Sequence, residues 1–226
     1  MRTRFFESTI RHNEGADVDP PRERSTPPIF CNLQRLVLAS ESPRRIELLR
    51  SLGLAFEVMP SGIEEGDDPE KEPSTLVARR AQEKAQAVSS LDPKSWVLSA
   101  DTIVVLQDTI FGKPESIEEA VAILQRLGGE VHHVFTGLCL MRADPPFMRV
   151  GTVKTEVRFK PLSDAEIRAY VKTGEPFDKA GAYGIQGMGA FLVESIHGSY
   201  TNVVGLPLCE ALEWLVEQRI VTPVQD

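Results

Sequence analysis

The sequence predicts a mixed α/β domain in which helices flank a central sheet. Three observations carry that reading. Apolar runs of strand length alternate with stretches of helical period. Strands and helices mix without a strict strand–helix–strand repeat, which argues against a regular doubly wound sheet. The chain has 226 residues and is 42% hydrophobic, enough for one sizeable domain with its own core.

The elements follow from Leu36 onward. LVLAS reads as a short buried strand, ESPRR as a loop, and IELLRSLG as a helix stopped by Gly53. AFEVMPS reads as a second strand leading into an acidic loop, Glu64 to Glu72. A helix is expected over 75–88, and WVLSADTIVVL is an apolar strand. Asp108 and Thr109 turn it into a short return strand that ends at Gly112-Lys113-Pro114. Ser116 and Glu119 form a capping box for IEEAVAILQRL, closed by Gly128 and Gly129. HHVFTGLCLMR and GTVKTEVRFK are long strands. Ser163 and Glu166 cap DAEIRAYVKT, which Gly174 ends. A glycine-rich stretch (178–190) precedes the strand FLVESI, and a final helix starts near Pro207.

Residues 1–32 hold five arginines, five acids and several prolines without a period, and read as a disordered extension. The folded domain is expected over 33–222. A net charge of -8 argues against a nucleic-acid or membrane-surface binder, and an acidic chain that binds any polyanion must concentrate its cations in one place. Three scattered cysteines without a CxxC fit a reducing cytoplasm. No apolar run approaches the roughly 20 residues of a membrane helix, and the amino terminus lacks a secretory h-region.

Polar residues in apolar settings mark the candidate site. Arg44 and Arg45 follow the plausible N-cap Ser42 and Pro43 in the first turn of a helix, where the macrodipole disfavours cations. They are either a solvated basic turn or part of a phosphate cradle. With Leu76 set at zero on a helical wheel, Arg80 falls at about 40° and Lys84 at about 80°, inside the arc of Val77, Ala81, Ala87 and Val88. A lysine there either snorkels or meets an anion. Asp101 interrupts WVLSADTIVVL, and a carboxylate in such a strand needs a cation, a metal or a proton. A bulge or a structural salt bridge would account for it; activation of a water is the functional alternative. Lys113 alone reads as an exposed turn lysine. The glycines at 181, 184, 187 and 189 would let backbone approach a ligand, although they form neither a Walker A nor a Rossmann fingerprint. His132 and His133 point to opposite faces of a strand and do not chelate together. Of the acids after the second strand, Glu64 or Glu65 is the metal-ligand candidate.

ASESPRRIELLRSLGL, GIEE, AQEKA, SADTIVV, GKP, DKAGAYGIQG and GSYTNVVGLPL resemble, in order, the motifs of the Maf-type nucleotide pyrophosphatases over about residues 35–215. SADTI and DKAGAYGIQG resemble the branch acting on dTTP and UTP. The resemblance implies a Maf/ITPase-like fold with a long curved sheet and a cleft, a divalent cation (Mg²⁺ or Mn²⁺), a homodimer, and cleavage of a nucleoside triphosphate to monophosphate and pyrophosphate. It makes Asp101 the proton acceptor. Ser40, Arg44, Lys84 and Lys113 become triphosphate contacts, Thr102 and Gln186 substrate-discriminating positions, and Glu64 and Glu65 the acidic site loop. Arg45 and Asp178 sit in matching motifs. Preference for 7-methyl-GTP, or a non-catalytic nucleotide sensor restraining septum formation, are the alternatives. The sequence departs from the pattern at Leu127–His132, which lacks the usual Ser-Gly pair, and at Ser99, where a glycine is common.

Overall fold

The computed structural model describes residues 27–63 and 72–225. Residues 1–26 of the expected extension, and both Glu64 and Glu65, lie outside the described residues. The core element is an eleven-residue strand, β4 (Trp96–Leu106), buried throughout except at half-buried Thr102. One of its edges pairs antiparallel with β6 (Val131–Arg142), which pairs with β7 (Phe147–Phe159), which in turn pairs with β8 (Val193–His197). On the other edge, β2 (Leu36–Leu38) runs parallel to β4 and to the two-residue β3 (Glu57–Val58). With β5 (Thr109–Phe111), this makes a mixed seven-stranded sheet.

That second edge of β4 is split. β2 covers Trp96–Leu98, and β5 covers Val104–Leu106. Among the described residues no strand pairs with 99–103 on this side. The two flanking strands run in opposite directions, so the C-terminal ends of both point into the gap. A loop and α1 (Pro43–Ser51) follow one end, and Gly112-Lys113-Pro114 follows the other. Divergent strand ends of this kind are where α/β sheets hold ligands.

Each sheet face carries its own core. The nineteen-residue α2 (Pro73–Leu91) packs Ala81, Ala85 and Val88 onto Val37, Val97 and Cys139, and Leu76 and Val77 onto Ile103 and Val105. Gly137, directly opposite Asp101 in the β4–β6 register, makes this docking possible. A Cβ at Gly137 would lie 2.0 Å from the Val77 carbonyl oxygen, so only glycine lets the helix backbone settle there. On the opposite face, Leu49 of α1 and Leu215 of α6 (Leu208–Glu217) cover one end of the sheet. Leu124 of α3 (Ile117–Leu127) and Ile167 of α4 (Asp164–Val171) cover the other end.

The Ser163 box forms as expected, its hydroxyl and Glu166 exchanging both bonds. Ser116 caps Glu119 N–H, but the Glu119 carboxylate reaches the amide of Glu115 instead of Ser116. β1 (Phe30–Asn32) pairs antiparallel with β9 (Val221–Pro223), two short strands for which the sequence offered no local pattern. A five-residue α5 (Tyr200–Val204), capped by Ser199 and ended by Gly205 at φ 119, precedes the final helix. No helix among the described residues is long and apolar enough to cross a membrane.

Candidate active site

Asp101 sits in the middle of β4, level with the split, and is 2% exposed. Its side chain points to the α2 face. There Lys84 Nζ donates to Oδ1 at 2.5 Å, and Arg80 stands 3.9 Å from Oδ2. Lys84 itself is 7% exposed, held among the small residues of α2. The lysine does not snorkel and no bulge turns the aspartate to solvent; the ion pair that forms is common to the structural salt bridge and to the catalytic carboxylate. A buried pair of this kind costs desolvation that a hydrophobic pair would not, which weakens it as a device for stability alone. Ser99, two residues before, donates its hydroxyl to the Ala81 carbonyl at 2.5 Å, tying the same strand to the same helix.

Thr102 points to the other face, because neighbouring strand residues alternate. Arg45 organises that side. Its Nε donates to the Gly205 carbonyl at 2.7 Å, one terminal nitrogen to Ser40 Oγ and the other to Thr102 Oγ1, both at 3.1 Å. The Thr102 hydroxyl meets that of Thr136 at 2.9 Å, and Thr136 donates to the Asn202 carbonyl at 3.3 Å. Asn202 is fully buried and donates to Thr155 and to the Val134 carbonyl. A polar belt thus crosses the sheet between the two cores of this face and fixes the turn after α5 against the loop after β2.

Arg44 diverges from Arg45. It donates to the Asp178 carboxylate at 2.6 Å and to the Asp178 carbonyl at 3.1 Å. Burial opposes the ionised form of Asp178, but hydrogen bonds from Lys179 and Arg44 outweigh it and hold its pKa below the ordinary value. Lys113 is exposed at the mouth of the split. Its loop is tied to the glycine-rich segment by Gly181 N–H donating to the Gly112 carbonyl at 3.0 Å. Gln186 is half-buried on that segment.

Asp101 and Lys84 are therefore in contact, Ser40 and Thr102 are joined through Arg45, Arg44 and Lys113 stand on the segments that follow β2 and β5, and Gln186 stands on the glycine-rich segment. The four glycines of 178–190 each stand close to the protein's own atoms. A Cβ at Gly181 would meet Val104 at 2.8 Å, one at Gly184 would meet Lys179 at 2.6 Å, and one at Gly189 would meet the Gly184 carbonyl at 2.4 Å. A Cβ at Gly187 would lie 3.0 Å from the Glu175 carboxylate. Sequence reasoning did not place Arg80 at the aspartate, although the wheel had put it on the same arc, and it did not find the hub role of Arg45.

A divalent cation can be tested against the oxygens present. No group of three or more His, Cys, Asp or Glu residues gathers among the described residues. Asp101 Oδ2, however, is a buried carboxylate oxygen without a hydrogen-bond partner there. Magnesium commonly takes only one or two carboxylates and completes its shell with water and substrate phosphates, so this donor fits.

The family described as Maf-like protein matches residues 35–218. The dTTP/UTP pyrophosphatase of Desulfotalea psychrophila is 49% identical over 187 residues, covering 83% of this chain and 96% of that protein. That of Geobacter sulfurreducens is 50% identical over 179 residues, 79% of this chain and 94% of the relative. The one from Symbiobacterium thermophilum is 49% identical over 185 residues, 82% and 94% respectively. Among solved structures, the Ham1 protein of Staphylococcus aureus is a loose likeness, with a TM-score of 0.39 at 14% identity over 56% of this chain and 72% of that one. The Maf-like match spans β2 through α6 and so takes in both faces of the split strand: this chain belongs to the Maf family.

Proposed function

We propose that the protein is a nucleoside triphosphate pyrophosphatase that hydrolyses dTTP and UTP to the monophosphate and pyrophosphate, removing nucleotides unwanted in the precursor pool. The observation that carries the chemistry is the buried Asp101 carboxylate, paired with Lys84 at 2.5 Å and set where the sheet splits. The relatives named above, each called a dTTP/UTP pyrophosphatase, support the substrate class.

Asp101 Oδ2 is the base. Lys84 fixes the carboxylate through Oδ1, which leaves Oδ2 to take the proton of a water positioned in the opening. That water attacks the α-phosphorus, the bond to the α–β bridging oxygen breaks, and pyrophosphate leaves. Arg44 and Lys113, on the loops after β2 and β5, bind the phosphates and stabilise the leaving charge, and Ser40 adds a hydroxyl. Thr102 and Gln186 stand for discrimination among bases. The acidic loop of Glu64 and Glu65 would hold a divalent cation, Mg²⁺ or Mn²⁺, which would offset the charge of the triphosphate when bound. The reading extends to a homodimer in the cytoplasm, which the Maf resemblance supports.

Turnover of dTTP, UTP, CTP and 7-methyl-GTP with Mg²⁺, with products resolved by ion-exchange chromatography, tests the proposal. Monophosphate and pyrophosphate in equal amounts, formed fastest from dTTP and UTP, are expected. Diphosphate and orthophosphate, or no turnover of either pyrimidine nucleotide, would refute it.

A further inference from the structure

The segment that bears Gln186 is held by a residue outside the site, Glu175. This glutamate opens a 3-10 turn after Gly174 and is half-buried. One of its carboxylate oxygens accepts from Met188 N–H at 3.0 Å, and the other from Gly189 N–H at 2.9 Å and from the Tyr170 hydroxyl at 2.9 Å. That hydroxyl in turn accepts from Gly184 N–H at 3.2 Å. The amides on both sides of Gln186, at 184 and at 188–189, thus close on one phenol–carboxylate pair. Gly187 (φ +70) and Gly189 allow the wrap, because a side chain at 189 would collide with the Tyr170 hydroxyl. Burial opposes the ionised form of Glu175, and the amide bonds outweigh it, holding its pKa below the ordinary value.

We propose that Glu175, with Tyr170, is a positioning residue for nucleotide selection. It fixes the backbone of 184–189 so that the Gln186 amide meets the base in one orientation, and it touches neither substrate nor reacting atoms. The inference rests on the proposed role of Gln186. A polar group rejects the wrong partner only when it is held in place, since a mobile amide can turn to satisfy either pattern of donors and acceptors. The same segment reaches the other side of the opening: the Glu175 backbone carbonyl accepts from Lys179 Nζ, which also bonds Asp178, the partner of Arg44.

The test is a double-mutant cycle read as the ratio of kcat/KM for UTP over CTP. Glu175→Ala and Gln186→Ala are each expected to lower the ratio about tenfold, mainly through KM for UTP, and the double variant is expected to fall no further than either single one. Tyr170→Phe, which keeps the ring, repeats the cycle if Glu175→Ala fails to fold, with a smaller loss expected. Unchanged preference in the folded Glu175 variant, or additive losses in the double variant, overturns the inference and leaves the role of Gln186 standing. Unchanged preference in Gln186→Ala alone overturns both. Turnover of UTP in the same assays reports separately on the pyrophosphatase reading.

Discussion

Replacing Gly137 with alanine should damage the site from behind. The added methyl would stand 2.0 Å from the Val77 oxygen, 2.3 Å from its carbonyl carbon and 2.7 Å from the Ala78 nitrogen, all backbone atoms that cannot rotate away. A carbon–oxygen contact needs about 3.3 Å, so α2 must retreat by roughly 1.3 Å at this point. Overpacking of this kind costs about 1–3 kcal/mol, and with helix backbone on one side and a central strand on the other the upper value applies. For a chain of this size that corresponds to a melting point lowered by roughly 6–12 °C. Arg80 and Lys84, one and two turns along the same helix, move away from Asp101. A misplacement of about 1 Å in a reacting constellation is worth about a hundredfold in rate. Thermal denaturation and a coupled pyrophosphate-release assay measure the two effects. Gly151→Ala is the control: its methyl would press on the Trp214 ring at 3.0 Å on the opposite face and should lower stability with little change in rate. A Gly137→Ala protein with kcat/KM within about threefold of the parent would refute the claim that close helix docking sets the ion pair.

Other expectations follow from the same contacts. Lys84→Met leaves the Asp101 carboxylate buried beside Arg80 alone, costing about 3–5 kcal/mol; adding Asp101→Asn should recover much of the stability, read by urea denaturation, without restoring turnover. Arg45→Lys cannot serve the Gly205, Ser40 and Thr102 acceptors together, so stability should fall by about 1–3 kcal/mol and nucleotide KM should rise. His132 gives the pH dependence. Burial first, and the neighbouring His133 second, push its pKa from 6.5 down to about 3. The folded state therefore prefers neutral His132 while the unfolded chain takes the proton. Its contribution is complete above about pH 6.5 and drains away as pH falls toward 3, by an amount on the order of 5 kcal/mol in all. Acid titration of stability should show that slope, and His132→Phe should flatten it.

What could be read from the sequence was what local periodicity encodes. α2 and β4 declare themselves over eleven residues or more, and Asp101 and Lys84 were visible because each violates the pattern of a strongly patterned element. β1 and β9 are three residues each, pair across about 190 positions, and have no local signature. α5 is a single turn with its caps. Gly137 carries no local signal, since its reason is the approach of a helix that the neighbouring sequence does not announce. Arg44 and Arg45 were seen as a pair at one helix start. Their opposite fates, toward Asp178 and into the Ser40–Thr102 belt, depend on segments more than 50 residues away. The glycines of 178–190 suggested a ligand loop, and tertiary packing made them points of self-contact.

The most direct measurement is of Asp101→Asn, which keeps the size of the side chain and removes the base. With UTP and Mg²⁺, kcat should fall by about 10²–10⁴, while the Kd for UTP by calorimetry, measured with Ca²⁺ in place of Mg²⁺ in both proteins, stays within a few-fold of the parent. A variant that turns over UTP at close to the parental rate would contradict the account at its root.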